Sequence, residues 1–105
     1  MTSPPPPGLL VALQLMGSLL RKHHQQDWAD ACDRQAARLV GGVAAEDVSR
    51  TVLGWFGGAG SLNDLVLQTA SGADIEANQR LADLGMHLHA LSRETISGGS
   101  DPQVR

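Results

Sequence analysis

Apolar residues recur every three or four positions along most of this chain, which is the spacing of one helix face. The pattern predicts a first helix over Leu9–His24, whose basic last residues suit the negative end of the helix dipole. It predicts a second helix over Asp27–Val40, with Asp27 as N-cap and Gly41-Gly42 as its stop. A third helix is predicted over Glu46–Trp55.

The second half of the chain is predicted to hold a short helix and a long one. Ser61 resembles an N-cap, with Asp64 three residues later, and together they predict a fourth helix over Leu62–Gln68. The apolar run 65–67 also fits a strand, so an edge hairpin is the alternative. The last helix, Ile75–Thr95, carries a full heptad stripe. Its members are Ala77, Leu81, Leu84, Leu88, Leu91 and Thr95.

These elements predict an all-α fold, a compact bundle of four to five helices with a glycine-rich corner between helices 3 and 4. A length of 105 residues allows one domain, which we place at residues 9–97. The Pro-rich residues 1–8 and the tail 98–105 lack apolar periodicity, and we expect both to be disordered.

Charge and aromatic content argue against nucleic acid as a ligand. The chain has 8 basic and 11 acidic residues, a net charge of −3, and the basic residues are scattered. Its only aromatic side chains for stacking are Trp28, Trp55 and Phe56. Nucleic-acid binding usually requires a basic stripe and stacking aromatics.

The apolar run Leu9–Met16 is too short to span a bilayer. It could be taken for the core of a signal peptide, but four prolines and no Lys or Arg precede it. We therefore expect a cytoplasmic protein that does not enter a membrane.

The sequence predicts no metal site and no cofactor. Cys32 is the single cysteine and is expected to be a small buried thiol. His23 and His24 are adjacent, and neighbouring helical residues point about 100° apart, so we expect surface positions that complement the helix dipole. The spacing of His87 and His89 likewise separates them around the helix.

The sequence WFGGAGSLND, residues 55–64, permits three interpretations. A phosphate-binding loop is disfavoured, because a P-loop needs a lysine here and the preceding segment is predicted as helix. A turn between helices accounts for Gly57, Gly58 and Gly60 without any ligand. In a partner-binding surface, Asn63 and Asp64 would supply polar contacts. Trp55 fits either the core or an exposed binding position.

The pattern Phe-Gly-Gly-x-Gly-Ser-Leu-Asn-Asp resembles a motif in a group of small bacterial proteins of unknown function. The similarity extends over most of the chain, through the Asp27-Trp28-Ala29 helix and the closing amphipathic helix. Those proteins resemble immunity proteins of polymorphic toxin systems, which bind and block a cognate toxin in the producing cell. The motif positions are Phe56, Gly57, Gly58, Gly60, Ser61, Leu62, Asn63 and Asp64.

The resemblance implies a non-enzymatic protein whose partner is a cognate toxin. Asp27, Asp30 and Asp33 form an acidic face that we expect to contact a basic toxin cleft. One alternative is a helical subunit that self-associates, as a homodimer, through the heptad stripe. A small enzyme is the other alternative, with Ser61 beside a histidine or Asp64 beside a second carboxylate.

Overall fold

Four α-helices form the framework of the computed structural model, which describes residues 8–57, 61–62, 65–69 and 71–100. They are α1 (Leu9–Lys22), α2 (Gln26–Val40), α3 (Ala45–Leu53) and α4 (Ile75–Ser100). Two short strands, β1 (Gln68–Thr69) and β2 (Gly72–Ala73), pair antiparallel just before α4. The predicted helical bundle is confirmed for these residues. Among them, no helix has both the length and the apolar character needed to cross a membrane.

The predicted helix over Leu62–Gln68 is wrong. Residues 65–67 have no regular secondary structure, and Gln68 begins β1. The reason is that the Leu67 backbone is bonded to the side chain of Asn78, a partner outside its own segment. A short hairpin of β1 and β2 follows instead, but residues 65–67, which the alternative assigned to a strand, lie before it. At the other end of the chain, α4 continues past the predicted end at Thr95.

Several predicted features lie outside the described residues. They include most of the glycine-rich corner and the outermost parts of both termini. The positions concerned are residues 1–7, Gly58, Gly60, Asn63, Asp64 and residues 101–105.

Helix α1 lies close to α2 at Gly17. A Cβ atom at this position would lie 3.1 Å from the Asp33 carboxylate and 3.4 Å from the Cys32 Cβ. Cys32 is buried, as predicted, and burial raises the pKa of its thiol to about 12. The absence of a side chain at residue 17 therefore lets α1 lie directly on α2.

The core consists of two adjoining clusters of buried side chains, and Trp55 and Phe56 pack against both. The first lies between α1, α2, the segment before β1 and the start of α4. It comprises Met16, Leu19, Leu20, Ala29, Cys32, Leu62, Leu67, Ala77 and Leu81. The second lies between α1, the later part of α2, α3 and the middle of α4. It comprises Ala12, Leu13, Ala36, Val48, Val52 and Leu88.

Helices α1 and α2 end in the same hydrogen-bond pattern with different residues. After α1, Gln25 N–H donates to the Leu20 carbonyl, and His24 N–H donates to the Arg21 carbonyl. This is a Schellman motif, which places one residue in the left-handed region. Here that residue is His24, with φ 64°. After α2 the equivalent residue is Gly42, with φ 99°.

Replacing His24 with glycine is expected to raise the free energy of unfolding by about 0.5–1 kcal/mol. Left-handed backbone costs a side-chain-bearing residue about 1–2 kcal/mol, part of which is offset by the greater unfolded-state entropy of glycine. Urea denaturation measures the change. The matched control is Gly42→Ala, which introduces the same strain after α2 and is expected to destabilise. A destabilised His24→Gly variant would contradict the assignment of strain to this residue.

Candidate functional site

An apolar groove of about 950 Å³ runs between α4 and the segment that connects α3 to β1. We call it the α4 groove. One wall comes from the connecting segment: Phe56, Gly57, Leu62, Leu65 and Val66. The other comes from α4: Asn78, Leu81, Ala82, Gly85, Met86 and His89. Almost all of these residues are apolar, so the groove is suited to an apolar side chain.

Phe56 packs across the groove against α4. Its ring makes an edge-to-face contact with His89, with 5.2 Å between ring centroids. A Cβ atom at Gly85 would lie 3.6 Å from the Phe56 ring, in ordinary van der Waals contact. Small residues at 82 and 85 leave the space on the helix surface that the groove occupies.

Two large apolar side chains of the α4 groove are exposed to solvent, one on each wall. Met86 on α4 is 73% exposed, and Val66 on the connecting segment is more than half exposed. Methionine is flexible and polarisable, and it is over-used on surfaces that bind partners. Met86 and Val66 thus extend the apolar lining of the α4 groove onto the protein surface. Such a continuous apolar area differs from a single apolar residue scattered on a surface.

The wall that contains Leu65 and Val66 is held in place by Asn78, near the start of α4. The Asn78 side chain accepts from Leu67 N–H at 2.7 Å and donates to the Leu67 carbonyl at 2.9 Å. It also donates to the Asp74 carbonyl at 2.8 Å. One side chain thus satisfies both backbone groups of Leu67, as a neighbouring strand would. Sequence reasoning missed Asn78, since a polar residue in a first helical turn carries no signal of this role.

The described part of the glycine motif contributes both to the fold and to the groove. Gly57 adopts φ 91°, a conformation that favours glycine, and it lines the groove. Leu62 is buried, and its N–H donates to the Trp55 carbonyl at 2.8 Å, which closes the intervening loop. Ser61 is partly buried, and its hydroxyl has no hydrogen-bond partner in the described structure.

Trp55 belongs to the core. Its ring packs edge-to-face on Trp28, with 5.8 Å between centroids, and contacts both core clusters. The sequence allowed either a core position or an exposed binding position for Trp55. In the structure Trp55 is partly buried and packs against the core. Trp55 therefore anchors the end of α3 below the groove.

Two residues of the predicted acidic face are engaged within the protein. The Arg21 guanidinium lies 2.9 Å from the Asp30 carboxylate and 2.9 Å from the Asp33 carboxylate. These three side chains are each close to half exposed, and such surface pairs contribute little to stability. Asp27 is exposed and lies in the first turn of α2. The acidic face is therefore partly neutralised by a cation from α1.

His23 does not occupy the surface position expected from the sequence. Its side chain is only 11% exposed and lies at the end of α1, against Asp74. Asp74 caps α4 by accepting a hydrogen bond from Ala77 N–H at 3.0 Å. That bond, together with a hydrogen bond from His23, lowers the pKa of the Asp74 carboxyl.

No cluster of three or more histidine, cysteine or acidic residues suited to a metal ion occurs among the residues that the structure describes. The Cys32 thiol is protonated at neutral pH because its pKa is raised, so it is a poor nucleophile. The polar groups of the α4 groove are Asn78, which is bonded to the backbone, and His89, which is packed on Phe56. The lining of the α4 groove is therefore suited to contact with apolar groups.

Comparison with known proteins identifies a family for this chain. No curated protein and no solved structure is significantly similar to this chain. Residues 21–76 match the model of a family described as a domain of unknown function, DUF6966. This segment runs from the end of α1 to the first turn of α4 and includes the connecting wall of the α4 groove. Because it is just over half of the chain, the protein belongs to the DUF6966 family.

Proposed function

We propose that this protein binds another protein through the α4 groove, and that the partner is a cognate bacterial toxin which it neutralises in the cytoplasm as an immunity protein. The observation that carries the binding role is the apolar groove with exposed Met86 and Val66 at its walls. The toxin as partner comes from the resemblance of the glycine motif to those of immunity-like proteins.

The groove favours an apolar anchor from the partner, surrounded by polar contacts. Aromatic and aliphatic anchors that fill pockets contribute most of the energy of protein interfaces. The chain has a net charge of −3, and Asp27 is exposed, which suits a partner with a basic surface. Binding that covers the toxin's active site requires no catalytic group in this protein.

Replacing Met86 with lysine is expected to weaken partner binding at least tenfold, because the charge would have to be desolvated in an apolar contact. The experiment is co-expression with the product of the neighbouring gene, followed by co-purification and affinity measurement. Val40→Lys is the matched control, since Val40 is also 73% exposed but lies at the end of α2, outside the groove. Both variants are expected to keep the wild-type helical circular dichroism.

Equal binding by the Met86→Lys and Val40→Lys variants would remove the groove from the interface. If the neighbouring gene encodes no toxin-like domain and nothing co-purifies, the immunity function itself is to be abandoned. The two outcomes are distinct, because the first concerns the surface and the second the partner.

Self-association is the alternative that light scattering tests. The alternative predicted from the sequence is self-association through the heptad stripe of α4. Three residues of that stripe already pack inside the monomer, since Ala77, Leu81 and Leu88 are buried in the core. A homodimer would have to use another surface, such as the α4 groove. A monomer that becomes a heterodimer with the neighbouring gene product supports the immunity function, whereas a homodimer at all concentrations supports self-association.

A further inference from the structure

The imidazole of His23 lies between two oxygen acceptors from different parts of the chain. Its Nδ1 is 3.1 Å from the Leu19 carbonyl, one turn earlier in α1. Its Nε2 is 3.2 Å from an Asp74 carboxylate oxygen, 51 residues later in the sequence. The contact joins the C-terminal end of α1 to the residue that caps α4.

The protonation state of the ring follows from these two partners. A carbonyl oxygen and an ionised carboxylate can only accept hydrogen bonds. Both ring nitrogens must therefore carry a proton for both contacts to be hydrogen bonds, and only the imidazolium has two. In the neutral ring, one nitrogen would direct its lone pair at an oxygen.

We propose that the His23–Asp74 contact is a pH-sensitive latch that holds the end of α1 on the first turn of α4. When His23 is protonated, it donates to both Leu19 and Asp74. When it loses its proton, one of the two hydrogen bonds is lost and the ion pair disappears. Histidine is the side chain whose charge ordinarily changes between about pH 5 and 8.

Other charged groups share the cleft between α1 and α4 in which the latch lies. Lys22 comes from α1, and Glu76 and Arg80 come from α4. The cleft thus holds two further cations and one further anion. Asp74 is the group in direct contact with His23, so it is the acceptor that the latch requires.

The structure connects the latch to the wall of the α4 groove. The Asp74 carbonyl accepts a hydrogen bond from the Asn78 side chain, which also holds both backbone groups of Leu67. Leu65 and Val66, which line the groove, immediately precede Leu67. Asp74 is therefore bonded both to the latch histidine, through its side chain, and to the residue that positions this wall, through its carbonyl.

The pH range in which the His23–Asp74 latch is closed has two limits. A histidine stabilised in its charged form contributes stability at low pH, and the contribution is lost as pH rises and the proton leaves. A carboxyl with a lowered pKa contributes stability above its ordinary value, and the contribution is lost as pH falls through the lowered pKa. The Asp74 carboxyl is of this second kind. The closed latch thus requires a pH above the lowered pKa of the Asp74 carboxyl together with a protonated His23 ring.

A double-mutant cycle at two pH values tests the latch. The variants are His23→Gln, Asp74→Asn and their combination; asparagine retains an N-cap while removing the charge. At about pH 5.5 we expect the interaction between His23 and Asp74 to change the folding equilibrium constant by about threefold or more. At about pH 8, where the ion pair is lost, we expect a smaller coupling than at about pH 5.5, as measured by urea denaturation.

His24→Gln is the matched control, since it removes a neighbouring histidine that is exposed and is expected to leave the coupling unchanged. Coupling that is the same at both pH values, or absent at both, would overturn the proposal.

Discussion

The Leu13→Ala variant is expected to lose about 2–5 kcal/mol of unfolding free energy, the usual cost of truncating a fully buried leucine. Leu13 is 0% exposed and lies in the cluster that joins α1 to α2, α3 and α4. Its removal costs the transfer energy of the lost atoms and leaves a cavity in a cluster built from four helices. Domains of this kind have a total unfolding free energy of about 5–15 kcal/mol, so this loss is a large fraction of their stability.

Chemical denaturation with urea, followed by circular dichroism, measures this loss. Leu15→Ala is the matched control, because Leu15 lies on the same helix, undergoes the same substitution and is 43% exposed. We expect it to cost about 1 kcal/mol or less. Similar losses at the two positions would show that α1 does not pack through the face described here.

The Asn78→Asp variant is expected to lose about 2–3 kcal/mol, although it changes only one atom of the side chain. The carboxylate retains an acceptor for Leu67 N–H. It has no proton to donate, however, and its second oxygen would face the carbonyls of Leu67 and Asp74. Repulsion among these oxygens replaces two hydrogen bonds. The loss should shrink in acid, where the new carboxyl is protonated and can donate.

Urea denaturation and amide hydrogen exchange at Leu67 test this prediction together. Gln79→Glu is the control for charge, since it adds a carboxylate to the next, exposed position near the start of α4. The charge suits the helix dipole but replaces the hydrogen bond that Gln79 donates to Asp83 with repulsion, so we expect a loss of less than about 0.5 kcal/mol. If Asn78→Asp is as stable as Gln79→Glu, the side-chain bridge to Leu67 does not contribute to the fold.

The helices were predictable because their signals are local. The heptad positions of α4 include Ala77, Leu81 and Leu88, all of which the structure buries. The end of α2 at Gly41-Gly42 was also predictable, since glycine is the usual residue in the left-handed position after a helix. In both cases the relevant residues lie within one or two turns of each other.

The segment before β1 was not predictable, because its conformation depends on a distant partner. The apolar run from Leu65 to Leu67 fits a helix or a strand equally well. The Asn78 side chain, 11 residues beyond Leu67, occupies both backbone groups of Leu67, and residues 65–67 form neither a helix nor a strand. Sequence periodicity carries no information on such a bond.

Of the α4 groove, the sequence predicted residues of the connecting wall but not those of the α4 wall. Phe56 and Gly57 stood out as members of the glycine motif, and both line the groove. On α4, Gly85 and Met86 lie outside the heptad stripe and have no pattern of their own. The groove exists only once Phe56 is docked over the space that the small residues leave.

The two walls of the α4 groove come from different parts of the chain, and this has an evolutionary consequence. The connecting wall lies inside the segment that defines the family, whereas Leu81, Ala82, Gly85, Met86 and His89 all follow that segment. Substitutions on the second wall can alter the shape of the groove without changing the part that identifies a family member. Under the proposed binding function, such substitutions would change which partner fits the groove while residues 21–76 stay the same.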